Sequence, residues 1–355
     1  MSEPIIVSPI QVGQRISAML TSGKRSTTYK LATLMALIDF SLEHVPDDTQ
    51  SAVSIPIVDL ADRVIEYYWP QVRPYPFQTD FHGVLRQGNG KSEAILKDVE
   101  RLRASAGMSA VVSPAAAKSL LPEYEKYQKK IAHTLAKMPL SHLQTPESAG
   151  QIKDSFLFED DWLHQDITLS ALQIHNWEIV LRPGIAWALA QVSTLLRPAI
   201  EMQWLDDIAK FNKATLERDN LAGFLFGTTR SNIVKLSADL LELQGGRCFY
   251  CDATVAQRIA HVDHVIPFSR IPLDGLSNLV VADSGCNLNK SASLPIREHI
   301  DRSLGRSYLD LEQIESRHKW PQLRERTSSA ANGIYAVMAP GTWLWVSKGK
   351  YMLST

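Results

Sequence analysis

The segment from Cys248 to Lys290 holds all three cysteines of the chain, at positions 248, 251 and 286. An odd number of crowded thiols makes a poor disulfide framework, and in a cytosolic setting such clusters point to metal or redox chemistry. The redox reading is disfavoured, because Cys248 follows Gly245-Gly246-Arg247 instead of opening a helix after a strand. Between the thiols run His261-Val-Asp263-His264-Val-Ile-Pro267 and Asn278-Leu-Val-Val, and then Asp283-Ser-Gly-Cys286-Asn287-Leu-Asn289-Lys290. A histidine of ordinary pKa, about 6.5, can take a proton at cellular pH. Aspartate and asparagine offer the hard oxygens that Mg²⁺ prefers. A base beside such an ion is the equipment of metal-assisted hydrolysis.

The order of these pieces resembles the HNH endonuclease superfamily, including the HNH domains of CRISPR effector nucleases. There a CxxC knuckle leads into a strand bearing Asp-His and then Ile-Pro, a second strand begins with Asn, and a short helix carries Asn-x-x-Lys. Asn278, Asn287 and Lys290 follow His264 by 14, 23 and 26 residues, the spacing of the CRISPR effectors. Five specified residues would coincide by chance on the order of once in a million placements. The resemblance covers about Arg247 to Pro295.

It implies a ββα-metal module in which His264 is the general base and Asp263 and Asn287 hold a catalytic Mg²⁺ or Mn²⁺. Asn278 would orient the His264 ring through its backbone or side chain, and Lys290 would face phosphate. The reaction implied is hydrolysis of DNA, leaving 5′-phosphate and 3′-hydroxyl ends. One such site cuts one strand, so a double-strand break needs a homodimer or two successive nicks. Many HNH domains also hold structural Zn²⁺ with two CxxC pairs. Here the second pair reads Asp283-x-x-Cys286, which makes Cys248, Cys251, Asp283 and Cys286 the implied ligand set. Carboxylate is an acceptable zinc ligand at about 2.0 to 2.2 Å. The residues alone leave open solvent or His261 as the fourth ligand, or buried thiols without metal. His261 itself reads as structural or as a weak phosphate contact.

These side chains need elements to carry them. In a strand Asp263 and His264 point to opposite faces, so both can serve one phosphate only where the chain bends, and Pro267 fits such a bend. A helix running from Ser231 through Ile233, Leu236 and Leu240 to Gly245 leads into the knuckle. After the module, Ile334–Met338 and Trp343–Leu353, divided by Pro340-Gly341, read as a hairpin. Its Trp343, Trp345 and Tyr351 could stack on bases, although core or interface packing is the commoner use of such residues.

The N-terminal part reads as helical. Leu31, Leu34, Met35, Ile38 and Leu42 fall on one face before Pro46, and Ile57, Leu60, Ala61, Val64, Ile65 and Tyr68 do so before Pro70. A third helix from Ser92 to Gly107 turns Ile95, Val99 and Leu102 inward. These could form a helix-turn-helix or winged-helix module with Lys24, Arg25 and Lys30 on phosphate, or a plain helical packing domain. A loop near Val111–Ala117 precedes a helix with Tyr124, Tyr127, Ile131, Leu135 and Met138 on one side. A polar linker, Ser141–Gly150, follows. From Ser155 to Leu181 the pattern is strand-like and aromatic, and apolar helices follow Pro183. Gly90-Lys91-Ser92 imitates the end of a phosphate-binding loop, but Leu85 stands where that loop needs glycine.

The 355 residues are 45% hydrophobic and 21% charged with a formal net charge of −1, so no protein-wide positive field attracts nucleic acid, and DNA contact must be local. A bound divalent ion would be the strongest positive charge there. The N-terminal residues lack a basic stretch followed by an apolar run, and no eighteen-residue apolar stretch occurs, so the expectation is a cytoplasmic protein without a membrane partner. The expected fold is α+β: a helical part over 1–140, a mixed connection over 141–230, the nuclease module over 231–305, and a helix with a hairpin over 306–355. An N-terminal domain joined to an HNH module resembles bacterial restriction or phage-defence nucleases, which suggests DNA and a defence-system protein as partners; this is fold-level analogy. The rival readings are a non-catalytic zinc-containing nucleic-acid-binding protein and an RNA-cleaving HNH enzyme.

Overall fold

The computed structural model describes residues 7–21, 25–77, 83–90, 93–106, 113–144, 155–213, 216–227 and 233–355. The chain divides into two compact units, Met1–Met108 with Leu120–Gly227 and Ser109–Ser119 with Thr228–Thr355. Helix dominates, with small antiparallel sheets. Among the described residues no helix is long and apolar enough to cross a membrane.

The first unit is built around α2 (Tyr29–Glu43), of which every residue except Lys30 is buried. A helix apolar on all sides must be wrapped by others, and α3 (Ile57–Tyr68) and α8 (Ile185–Asn212) pack against it. Helix α1 (Pro9–Thr21) lies on α8, and α6 (Tyr124–Lys137) on α3. Helices α4 (Ala94–Ser105), α7 (Leu169–Ile174) and α9 (Arg218–Phe226) are shorter; α5 (Pro114–Leu120), which stands where a loop was expected from Pro114 to Ala117, belongs to the second unit except for Leu120. Strands β1 (Val53–Pro56) and β2 (Glu178–Leu181) pair antiparallel, Ile55 opposite Ile179. The inward faces expected of α2, α3 and α4 are buried as read, although the α4 bounds Ser92 and Gly107 lie outside the described residues. On α6, Tyr124, Ile131 and Leu135 are buried, whereas Met138 follows the helix and is exposed.

Three further expectations change. Ser155–Leu181 is not strand throughout: only Glu178–Leu181 pairs as a strand, and Leu169–Ile174 is helix, opened by Thr168 whose hydroxyl accepts from the Ala171 N–H at 3.2 Å. The aromatics that suggested strand pack without a ladder, Trp162 stacking on His175 at 4.0 Å. Arg25 is held by the fold instead of being offered to phosphate: its guanidinium pairs with Asp207 at 2.5 Å and donates to the Leu20 carbonyl. Lys24 lies outside the described residues. The third change concerns the C-terminal hairpin of the second unit.

After α5, that unit continues with a short 3₁₀ turn and α10 (Ser237–Leu243), closed by the left-handed Gly245 and Gly246, while the expected opening residue Ser231 lies outside the described residues. Strands β3 (His261–His264) and β4 (Leu279–Ala282) pair antiparallel with His264 opposite Leu279, and α11 (Ser284–Lys290) follows. All four residues of β4 are buried. The Gln244 carboxamide bonds both the N–H and the carbonyl of Val281 at 2.8 Å, so the backbone on that side stays satisfied. Helices α12 (Arg297–Leu304), α13 (Tyr308–His318) and α14 (Arg324–Ala336) come next. The hairpin is β5 (Trp343–Ser347) with β6 (Lys350–Leu353), turning at Lys348-Gly349. Ile334 belongs to α14 and not to a strand, because Thr327, Ala330, Ala331 and Ile334 recur at helical spacing and are buried. Pro340-Gly341 therefore separates helix from strand.

The core of the first unit contains a charge. Arg197 of α8 bonds Asp39 of α2 and donates to the Tyr67 hydroxyl of α3 at 2.9 Å, with the Arg197 and Asp39 side chains 5% and 1% exposed. Burial opposes the guanidinium charge, but the Asp39 carboxylate beside it outweighs that and holds the group protonated. Removing one partner strands the other, so Arg197→Met is expected to cost about 3 to 5 kcal/mol, whereas Arg197→Met with Asp39→Leu should recover most of it. Urea unfolding of the two variants measures the difference.

Candidate active site and metal centre

A tight turn builds the knuckle: the Cys248 N–H donates to the Ala253 carbonyl at 2.8 Å and the Asp252 N–H to the Cys248 carbonyl at 3.0 Å, with Asp252 at φ 60°. The turn aims Cys248 and Cys251 at the start of α11. Asp283 caps that helix, its Oδ1 accepting from the Cys286 N–H at 3.0 Å. Its Oδ2 accepts from the Cys251 thiol at 3.3 Å, and its own N–H points at Cys248 Sγ, also at 3.3 Å. The ligand atoms of Cys248, Cys251, Asp283 and Cys286 all lie within 4.8 Å of one another.

A tetrahedron with metal–sulfur bonds of about 2.3 Å has edges of roughly 4 Å, so only a small adjustment separates this cluster from a zinc site. Burial pushes the Cys248 and Cys286 thiols up, and the hydrogen bond to the Asp283 carboxylate adds to it. Burial also works to raise Asp283, but the bonds from the cysteines outweigh it and hold the carboxylate low. Thiols that resist ionisation beside a carboxylate are a donor set that a divalent cation would convert to thiolates. His261, the alternative fourth ligand, is absent from the cluster; its Nδ1 lies 3.3 Å from the Asn287 carboxamide nitrogen instead.

The second group of side chains sits where α11 crosses β3. His261 and Asp263 alternate onto one face of the strand, and Asn287 and Lys290 are one turn apart on the helix. Lys290, expected to face phosphate, is fully buried. Its ammonium donates to the His264 carbonyl at 2.7 Å and pairs with Asp263 Oδ2 at 3.0 Å. Desolvation lowers its pKa and the Asp263 carboxylate opposes the fall. The same Asp263 oxygen accepts from the Tyr250 hydroxyl at 2.6 Å. Tyr250 is buried and held well above the usual phenol range, by burial first and then by Asp263. It packs edge-on against Trp345 at 4.9 Å and His299 at 5.2 Å. Trp345 is therefore core, while Trp343 is 63% exposed.

The His264 ring is buried and its Nε2 meets Asp274 Oδ1 at 2.6 Å. Asn278, expected to orient the ring, acts through the loop between: its side chain bonds both the N–H and the carbonyl of Ile266, at 2.8 and 3.1 Å, and the Leu273 carbonyl at 3.0 Å. Its own carbonyl accepts from the Val265 N–H. Asn289 fastens the hairpin to α11, its Oδ1 accepting from Trp345 Nε1 at 2.9 Å and the Gly349 N–H at 2.8 Å. Tyr250, Asp274 and Asn289 were not legible as site residues. Asp274 carried one signal, an acidic side chain before a glycine in the span between the Asp-His strand and Asn278.

Residues 248–296 match the family described as HNH endonuclease, the class to which these side chains and spacings already pointed. Residues 10–225, more than half of the chain, match the family described as a domain of unknown function (DUF8808), and the chain belongs to that family. No curated protein and no solved structure matches it.

The donor cluster predicts about one bound zinc per chain. Cys248→Ser should abolish it and unfold the second unit, since structural zinc contributes on the order of 10 kcal/mol to small modules. Asp283→Cys should keep the metal while losing the helix cap, at a cost of about 1 kcal/mol. Metal analysis and thermal melting read both.

Proposed function

We propose that the protein is a metal-dependent HNH endonuclease that hydrolyses DNA phosphodiester bonds, one strand per site, in a bacterial restriction or phage-defence setting. The observation that carries this reading is the junction of β3 and α11, where Lys290 locks the helix bearing Asn287 onto the Asp263 face of the strand, with His264 next in the chain, inside a segment that matches the HNH endonuclease family.

Asp263 and Asn287 fit a hard divalent ion such as Mg²⁺ or Mn²⁺. Tyr250 and Lys290 occupy one Asp263 oxygen, and the Asn287 carboxamide turns its nitrogen to His261, which leaves Asp263 Oδ1 and Asn287 Oδ1 as the ion's donors. Bound there, the ion would stabilise charge on the scissile phosphate and the leaving oxygen. His264 takes the proton from the attacking water. Its Nε2 is committed to Asp274, so Nδ1 is the nitrogen that accepts. Asn278 and Lys290 hold the backbone on which this histidine stands, and the cysteine cluster with zinc holds the start of α11. The ββα-metal architecture, with DNA as partner and a homodimer or a defence-system protein as a further one, belongs to the same proposal.

His264→Ala should retain fold, zinc and DNA affinity while nicking falls about 10²- to 10⁴-fold, the usual worth of a general base. Asp263→Ala or Asn287→Ala should instead raise the Mg²⁺ concentration needed for half-maximal rate. Nicking of supercoiled plasmid beside an RNA control separates the outcomes. Wild-type nicking by His264→Ala at saturating Mg²⁺ would take catalysis away from this motif, no nicking by the wild type would return the protein to a zinc-containing nucleic-acid-binding role, and cleavage of the RNA alone would make it an RNA-cleaving enzyme.

A further inference from the structure

The strongest unassigned contact at the site is the one between His264 and Asp274. The ring is 7% exposed and its Nε2 lies 2.6 Å from the carboxylate, whose side chain is 29% exposed. Asp274 belongs to a loop with little freedom. The Leu273 carbonyl is bonded by Asn278 at 3.0 Å, and the Asp274 carbonyl accepts from the Trp320 indole N–H. The Leu276 and Ser277 N–H groups donate to the Pro321 and Gln322 carbonyls at 3.1 and 3.0 Å. Gly275 runs so close to that segment that a Cβ there would stand 2.5 Å from the Gln322 carbonyl oxygen. Trp320 itself is buried.

Resting on the nuclease reading above, we propose that Asp274 is the positioning residue for His264, and that Trp320–Leu323, outside the segment that matches the HNH endonuclease family, holds it in place. A carboxylate can only accept, so Nε2 must carry the proton and Nδ1 the lone pair. The contact also fixes the ring plane. A second partner of this kind sets which nitrogen of a histidine is available. The loop contacts hold Asp274 against the ring before any substrate arrives.

The test uses the full-length, zinc-loaded chain with ¹⁵N-labelled histidine, the His264 ring assigned by its loss in His264→Gln. Wild type should display the Nε2–H form, and Asp274→Ala a mixture of both neutral forms. With supercoiled plasmid and Mg²⁺, Asp274→Ala should lower kcat about 10- to 100-fold with KM little changed. Asp274→Asn keeps the shape of the side chain and should lower kcat in the same direction, and Trp320→Phe should do so to a smaller extent. Zinc content and thermal melting report folding of each variant. A ring that stays in the Nε2–H form in Asp274→Ala, or a kcat within about twofold of wild type, overturns the assignment. A wild type that nicks nothing overturns the nuclease reading instead, and the ring form alone then decides whether Asp274 positions His264.

Discussion

The ammonium of Lys290 is buried completely, and the geometry of the second unit follows from the need to satisfy it. An unpaired charge there would cost several kcal/mol, so the Asp263 carboxylate and the His264 carbonyl must stand where Nζ can reach them both. Those partners are adjacent residues of β3, which sets the register of α11 on the strand. Asn287, one turn earlier, is then placed beside His261 on the same face. Lys290 thus spends its ammonium on β3 and sets where the side chains of α11 stand against that strand.

Asp283 ties the same helix at its other end. As N-cap it satisfies the Cys286 N–H, and as an acceptor for the Cys251 thiol it joins α11 to the knuckle. A cysteine in that place would supply a fourth thiolate but a poorer cap, so the carboxylate serves two local needs at once. Tyr250, between the two knuckle cysteines, continues the chain of dependence: its hydroxyl reaches Asp263 and its ring lies against Trp345 and His299. The cysteine cluster, β3 and the C-terminal hairpin therefore share one set of contacts.

The first unit follows a different logic. Its central helix is apolar on nearly every side, and the exceptions Asp39 and Glu43 are paired with Arg197 and Arg63. These pairs join α2 to α8 and α3. Arg25, which composition alone offers to phosphate, is spent on Asp207 for the same purpose.

The sequence by itself determined the cysteine cluster with its aspartate, the pairing of Asp-His with a distant Asn-x-x-Lys, and the buried faces of the long helices. Each is carried by residue type at fixed spacing along one or two local elements. It misread Ser155–Leu181 and the strand at Ile334, where aromatic and β-branched residues pack through loops or a helix and composition does not report the ladder. Only the tertiary structure decided that Lys290 turns inward, that Asn278 acts on a loop, and that His264 leans on Asp274 and, through it, on Trp320. Those contacts join residues as many as forty-six apart along the chain. No local periodicity records them, because they exist only once the hydrophobic core has fixed which loops meet.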